Sequence, residues 1–318
     1  MGSSAHNPSA LDSLVRHYWS WISESFLHVS ALEEWGEKAL SERISKQYES
    51  EIPRAFRLIE LMLESETPIA LGYGHEDRQY GLPDPARSVR EMAGRELAVM
   101  QGFAPQLAAM NQKHVGIPLA ELSRILDEAT ASREQYMAWL MEQKDGLTEQ
   151  AGRLCRTSNE PGWLPLNRLL LQLIDAIDET SIHMLVLRHV GRADEAEWSW
   201  QRSYEYMLLA YKIARYLASR EWAIDFHAEA VVGDRAGPRI GVTASQAQDV
   251  NRAREVALKG FVSRFTEAGS SEDGAFEEAS SSGSLLSEIA SRIVSLSDDG
   301  PVSGPSMRAV MERYIESC

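Results

Sequence analysis

The sequence predicts an all-α protein, and three observations carry that prediction. No Val/Ile/Thr-rich alternating segment is bounded by Asn-Gly or Asp-Gly turns, so strand signals are nearly absent. Hydrophobic residues recur at helical spacing, punctuated by helix start and stop signals. Two long runs, 164–190 and 194–231, are apolar round most of their circumference, which places them at the centre of a bundle. The expected architecture is a helical bundle of roughly seven to nine helices, two of them long and central, with a partly disordered C-terminal tail.

Ser9-Ala-Leu-Asp12 reads as a capping box opening a helix over 10–28, and Ser30-Ala-Leu-Glu33 as a second one opening a helix that runs to residue 51. Pro53 removes a backbone donor and predicts a kink or restart before 54–64. Residues 67–85 hold Thr-Pro, Gly-Tyr-Gly and Leu-Pro-Asp-Pro and read as a loop. Asp84 and Pro85 form an N-cap and first-turn pair for a helix reaching Phe103, and Pro105 predicts another break before Lys113. Pro118 opens the next helix, Gly146 closes it, and a short helix follows over 148–156. After the turn at Asn159-Glu-Pro-Gly162, Pro165 stands near the start of the 164–190 helix and Gly191 ends it. Asp194 caps the following helix, which Gly233 ends.

Composition shifts beyond that point. Residues 233–242 read as a linker, and Thr243 or Ser245 caps a further helix to residue 268. The Ser/Gly/Glu-rich stretch 269–283 lacks periodicity and reads as disordered, with amphipathic segments at 284–297 and 305–317. The division expected is a main functional bundle over 9–232, an additional helix over 243–268, and an acidic, loosely held tail over 269–318. No repeat of solenoid period is visible.

A net charge of −15 argues against nucleic acid or an anionic membrane as partner, since both select basic patches. No apolar run reaches the ~18 residues of a membrane span. Two cysteines, Cys155 and Cys318, make neither a disulfide framework nor a Cys-rich zinc site, so a reduced, cytoplasmic setting is expected. Residues 1–8 are polar and carry no charged-then-apolar leader pattern. Nucleotide-binding glycine loops, a Gly-x-Ser-x-Gly elbow and His-Glu-x-x-His are all missing.

The chemistry concentrates in one spacing. Glu179-Thr-Ser-Ile-His183 sets a carboxylate and an imidazole about 40° apart on one helix face, able to reach one metal ion. These two belong to a narrow polar stripe, Arg168, Gln172, Asp175, Glu179 and His183, flanked by leucines on both sides. Such a stripe either meets water or lines an internal site. The first helix repeats the spacing as Glu24-Ser-Phe-Leu-His28, with His17 one heptad earlier. Glu221 falls inside the apolar arc of its helix and Asp225 at its edge, with His227 nearby. A buried carboxylate needs a partner, which a metal, a histidine or an arginine supplies. Trp198, Trp200, Tyr204, Tyr206, Tyr211, Tyr216 and Trp222 crowd one helix and Trp19, Trp21 and Trp35 the N-terminal region, as core or as the lining of a pocket for an aromatic or cationic ligand.

Carboxylates and histidines drawn inward from several helices are how bundles build non-haem di-iron sites. In architecture, residues 9–232 resemble the haem-oxygenase-like helical oxidases, and more distantly the ferritin-like ones. The late helix here offers Asp225-Phe-His227, and the paired motifs are Glu-x-x-x-His. The resemblance implies iron held by Glu24, His28, Glu179, His183, Glu221 and Asp225, with His17 and His227 as second choices. The function it implies is oxidation of a small substrate in specialised metabolism. Two alternatives stay open. A metal-free enzyme would use His183 as a base oriented by Glu179 or Asp175 for an elimination or displacement. A non-catalytic interaction protein would dock a partner through its acidic tail, and the aromatic helix is compatible with a homodimer.

Overall fold

The computed structural model describes residues 10–66, 69, 86, 88–110, 119–144, 147, 162–224, 240–268 and 280–298. They form eight helices: α1 (Ala10–Glu34), α2 (Lys38–Glu64), α3 (Val89–Met110), α4 (Leu119–Lys144), α5 (Trp163–His189), α6 (Ala193–Ser219), α7 (Ala244–Ala268) and α8 (Ser280–Asp298). The described residues contain no strand, and none of their helices is long and apolar enough to cross a membrane. The all-α expectation therefore holds.

Several boundaries differ from the sequence reading, each for a local reason. α1 runs straight through Ser30, whose hydroxyl donates back to the Phe26 carbonyl at 2.8 Å instead of capping a new helix. The turn comes at Gly36, whose φ of +81° suits glycine, while the Glu37 N–H closes on the Leu32 carbonyl at 2.9 Å. α2 absorbs Pro53, and α3 runs on through Pro105. In α2 the buried Glu51, Ala55, Phe56, Leu58 and Ile59 hold both sides of the proline in one helix. α6 stops at Ser219, twelve or so residues before the expected end at 231, as the chain turns through Glu221 at φ +57°. Thr243 caps α7 in a reciprocal box with Gln246 (3.3 and 3.2 Å). The expected caps at Asp84–Pro85 and Gly146, the helix over 148–156 and the segment 305–317 lie outside the described residues.

The eight helices form two equivalent units of four. A shift of 155 residues carries the end of α1 (Glu34) onto that of α5 (His189) and both ends of α2 (Lys38, Glu64) onto those of α6 (Ala193, Ser219). It also carries the start of α3 (Val89) onto that of α7 (Ala244). The same shift relates Gly36 to Gly191 and Glu66 to Glu221, the four residues with positive φ among those described. Each unit has its own hydrophobic core, one built chiefly from α1–α4 and the other from α5–α8. Between the units α1 packs on α6 and α2 on α5, the reciprocal pattern of a two-fold dimer. α7 and α8, expected as an addition and a loose tail, complete the second core through Leu258, Phe261, Ile289 and Ile293.

Candidate functional site

A cavity of about 110 Å³ lies between the two units, on the scale of the ~150 Å³ spaces that admit benzene. Equivalent positions of the two halves line it. α1 contributes Trp19, Ile22, Ser23 and Phe26, and α5, at the shifted positions, Ile174, Ile177, Asp178 and Ser181. α2 and α6 add Tyr48, Ile52, Phe56, Trp200, Ser203, Tyr204 and Met207. Spacing of three and four puts each set on one helix face. The walls differ in chemistry. Where the first unit has Ser23, Phe26 and Tyr48, the second has Asp178, Ser181 and Ser203. Ser181 and Ser203 share a hydrogen bond of 2.7 Å. Among the described residues the indole N–H groups of Trp19 and Trp200 find no acceptor, which is unusual for buried indoles.

The candidate residues of α1 and α5 lie on the faces turned away from this cavity, each held by the third helix of its unit. In the first unit, His28 Nδ1 lies 2.8 Å from Glu96 Oε1 of α3. Glu96 also accepts from Ser25 and the Trp21 indole (each 2.8 Å) and from the Tyr136 hydroxyl (3.2 Å). Arg95 donates to Glu24 at 3.0 Å, and His28 Nε2 stands 3.7 Å from that same oxygen. In the second unit, His183 Nδ1 lies 2.6 Å from Asn251 Oδ1 of α7. An amide oxygen only accepts, so Nδ1 carries the proton. Nε2 then accepts the Gly241 N–H at 2.9 Å, which fixes a neutral imidazole with both nitrogens engaged. Glu179 receives Arg254 in a two-pronged ion pair (2.9 and 2.6 Å), with the carboxylate fully buried. The Glu179–His183 end of the α5 stripe is thus internal and its partners are protein groups, while Arg168 and Gln172 are half-buried.

The six residues expected around one metal fall into separate environments. Glu24 and His28 are clasped to α3, and Glu179 and His183 to α7. Glu221 is exposed in the turn after α6, because the helix ends before it. Asp225 and His227 lie outside the described residues. His17 is packed edge-on against Phe103 at 4.0 Å with Nε2 3.3 Å from the Val99 carbonyl, and burial pulls its pKa down to about 4. Among the described residues no group of three or more His, Cys, Asp or Glu side chains is arranged to hold a metal. The nearest approach is His28 between Glu24 and Glu96, where a metal would have to displace the donors that already saturate Glu96.

Sequence reasoning did not find Glu96, Asn251, Arg254 or Asp178. Arg254 is the kind of arginine partner expected for a buried carboxylate, found by Glu179 rather than by Glu221. The tryptophan and tyrosine clusters did signal the pocket, since Trp19, Trp200 and Tyr204 line it. Compared with known proteins, the chain matches no family model, no curated protein and no solved structure.

Proposed function

We propose that the chain binds a small, largely apolar molecule, about one aromatic ring in size, in the cavity between its units, with the molecule's polar group facing α5. The observation that carries this reading is the asymmetry of the cavity at equivalent positions: Ser23, Phe26 and Tyr48 from the first unit against Asp178, Ser181 and Ser203 from the second. The carboxylate and hydroxyls of the second set would orient a ligand that has both an aromatic face and a donor, while the Trp19 and Trp200 indoles offer N–H groups to an acceptor. If the bound molecule reacts, Asp178 is the lining carboxylate able to take its proton, a role His183 is poorly placed to fill with both nitrogens engaged.

Titration with p-cresol, a ring bearing one hydroxyl, tests the reading in a ¹H–¹⁵N correlation spectrum. The expected result is saturable movement of the Trp19 and Trp200 indole signals, lost when Ile177→Trp fills the space. Indole signals that stay fixed in the wild type would sink it. Non-haem iron oxidation remains a second reading, favoured by the imidazole of His28 between carboxylates from two helices. Iron content after anaerobic iron(II) loading decides it: metal bound by the wild type and lost from His28→Ala supports it, and a metal-free wild type ends it.

A further inference from the structure

Away from the cavity, the first unit buries a cation that its fold does not require. Arg133, in the middle of α4, is 2 % exposed, and none of its three guanidinium nitrogens meets a hydrogen-bond acceptor among the described residues. Its Cζ lies 3.5 Å from the centre of the Phe103 ring and 4.7 Å from that of Tyr18. At 3.5 Å the planar group is in van der Waals contact with the ring face, so its N–H bonds spread sideways in their own plane. The carboxylate that acts on it, Glu51, is already committed: Oε1 takes Arg54 at 2.6 Å and Gln47 at 3.2 Å, and Oε2 takes the Tyr18 hydroxyl at 3.2 Å. Burial opposes the charge on Arg133, the Glu51 carboxylate offsets part of that, and Arg54 adds like-charge repulsion. Contact with two aromatic faces offsets only part of the penalty of a desolvated cation.

The second unit serves as an internal control. At the positions equivalent to Tyr18 and Phe103 it has Leu173 and Leu258, both 0 % exposed. On α8 a shift of 156 matches the inward positions Arg133 and Leu140 to Ile289 and Leu296, so an isoleucine that is 0 % exposed takes the place of Arg133. The same four-helix arrangement therefore closes around leucines and an isoleucine, and packing does not explain a guanidinium at position 133.

We propose that Arg133 anchors a second binding site, inside the first four helices, for a small carboxylate whose two oxygens meet the guanidinium fork edge-on. The fork matches a planar carboxylate in geometry, and Arg133 and Arg54 against the one Glu51 carboxylate leave a single positive charge, which balances one negative charge better than the two of a phosphate monoester. The site is independent of the cavity ligand, since Tyr18, Glu51 and Arg133 are not among the residues lining the cavity.

Thermal unfolding of the full chain in sodium acetate, against sodium chloride at equal ionic strength, tests this on wild type, Arg133→Met and Arg133→Lys. Acetate should raise the wild-type Tm saturably, as a ligand of the native state does. The rise should vanish in Arg133→Met and shrink in Arg133→Lys, which keeps the charge without the fork. No rise in the wild type, or the same rise in Arg133→Met, overturns the proposal. Should Arg133→Met fail to fold, the Arg133 Nε–H resonance, identified by its loss in Arg133→Lys, provides the second readout. It must shift with acetate and not with chloride, and a signal indifferent to acetate overturns the proposal equally.

Discussion

Replacing Arg254 with methionine should be among the most damaging single substitutions in the chain. The guanidinium is 5 % exposed and grips a fully buried carboxylate with bonds of 2.9 and 2.6 Å. Methionine fills much of the same volume and leaves Glu179 charged and unpaired, which costs about 3–5 kcal/mol when such a pair is broken from one side. The double variant Glu179→Leu/Arg254→Met removes both charges and should recover most of that loss, because apolar replacements of a buried pair are often neutral or better. The first unit supplies a graded comparison. Arg95 reaches Glu24 through one 3.0 Å bond and is 18 % exposed, so Arg95→Met should cost less, about 1–2 kcal/mol. Urea unfolding of the three variants and the wild type, with the slope checked for constancy, gives the numbers. A loss below about 1 kcal/mol for Arg254→Met would place the pair among exposed ion pairs and refute the burial argument. A double variant no better than the single would show that Glu179 is not the group left stranded.

Other outcomes follow from local geometry. Burial holds the pKa of His17 down to about 4 in the folded chain, against 6.5 for a free histidine, so the unfolded chain takes up its proton first as the pH falls. Its contribution, about 3 kcal/mol, is complete above pH 6.5, declines between 6.5 and 4, and is gone below 4. Urea unfolding across that window should show the decline in the wild type and its absence in His17→Gln. Gly36→Ala and Gly191→Ala place a Cβ in open space at φ +81° and +78°, so each should lose about 1–2 kcal/mol from backbone strain alone, and by similar amounts. Gly241→Ala differs, because the added Cβ would sit 2.3 Å from the Ala247 nitrogen. That forces the backbone off His183 Nε2, visible as loss of hydrogen-exchange protection at the Gly241 amide.

The helices were legible because their signals are local: periodicity, the prolines near helix starts, and glycines such as Gly191 that end them. The Glu-x-x-x-His spacing in both α1 and α5 was legible for the same reason. The partners were not. His28 meets Glu96 and His183 meets Asn251 across 68 residues of chain in each case, and nothing in a single helix announces which distant helix will cover it. The repetition itself was hidden by divergence at equivalent positions. Trp21 corresponds to Ala176, Phe26 to Ser181 and Phe103 to Leu258 under the shift, so no run of identity survives to betray it. Glu24 with His28, Glu179 with His183, and the two turn glycines are among the few pairs that persist.

That persistence bears on what the paired residues do. If Glu24, His28, Glu179 and His183 formed one reactive centre, they would converge, yet each pair faces the third helix of its own unit. In both units the arrangement is the same in kind: a glutamate held by an arginine (Arg95, Arg254) and a histidine held by an acceptor (Glu96, Asn251). The arginines do not occupy equivalent positions. Val99 stands where Arg254 would be expected and Val250 where Arg95 would be, so the same contact is made from a neighbouring turn. A bond that is kept while its donor moves is one the fold needs. On opposite faces of the same helices, Trp19, Ile22, Ser23 and Phe26 on α1 and Ile174, Ile177, Asp178 and Ser181 on α5 have diverged to give the cavity unlike walls. The clasps fix α1 and α5 from behind, and the cavity between them is free to change its chemistry. Conserved contacts on one face and divergent ones on the other are what a binding site on a duplicated scaffold should show.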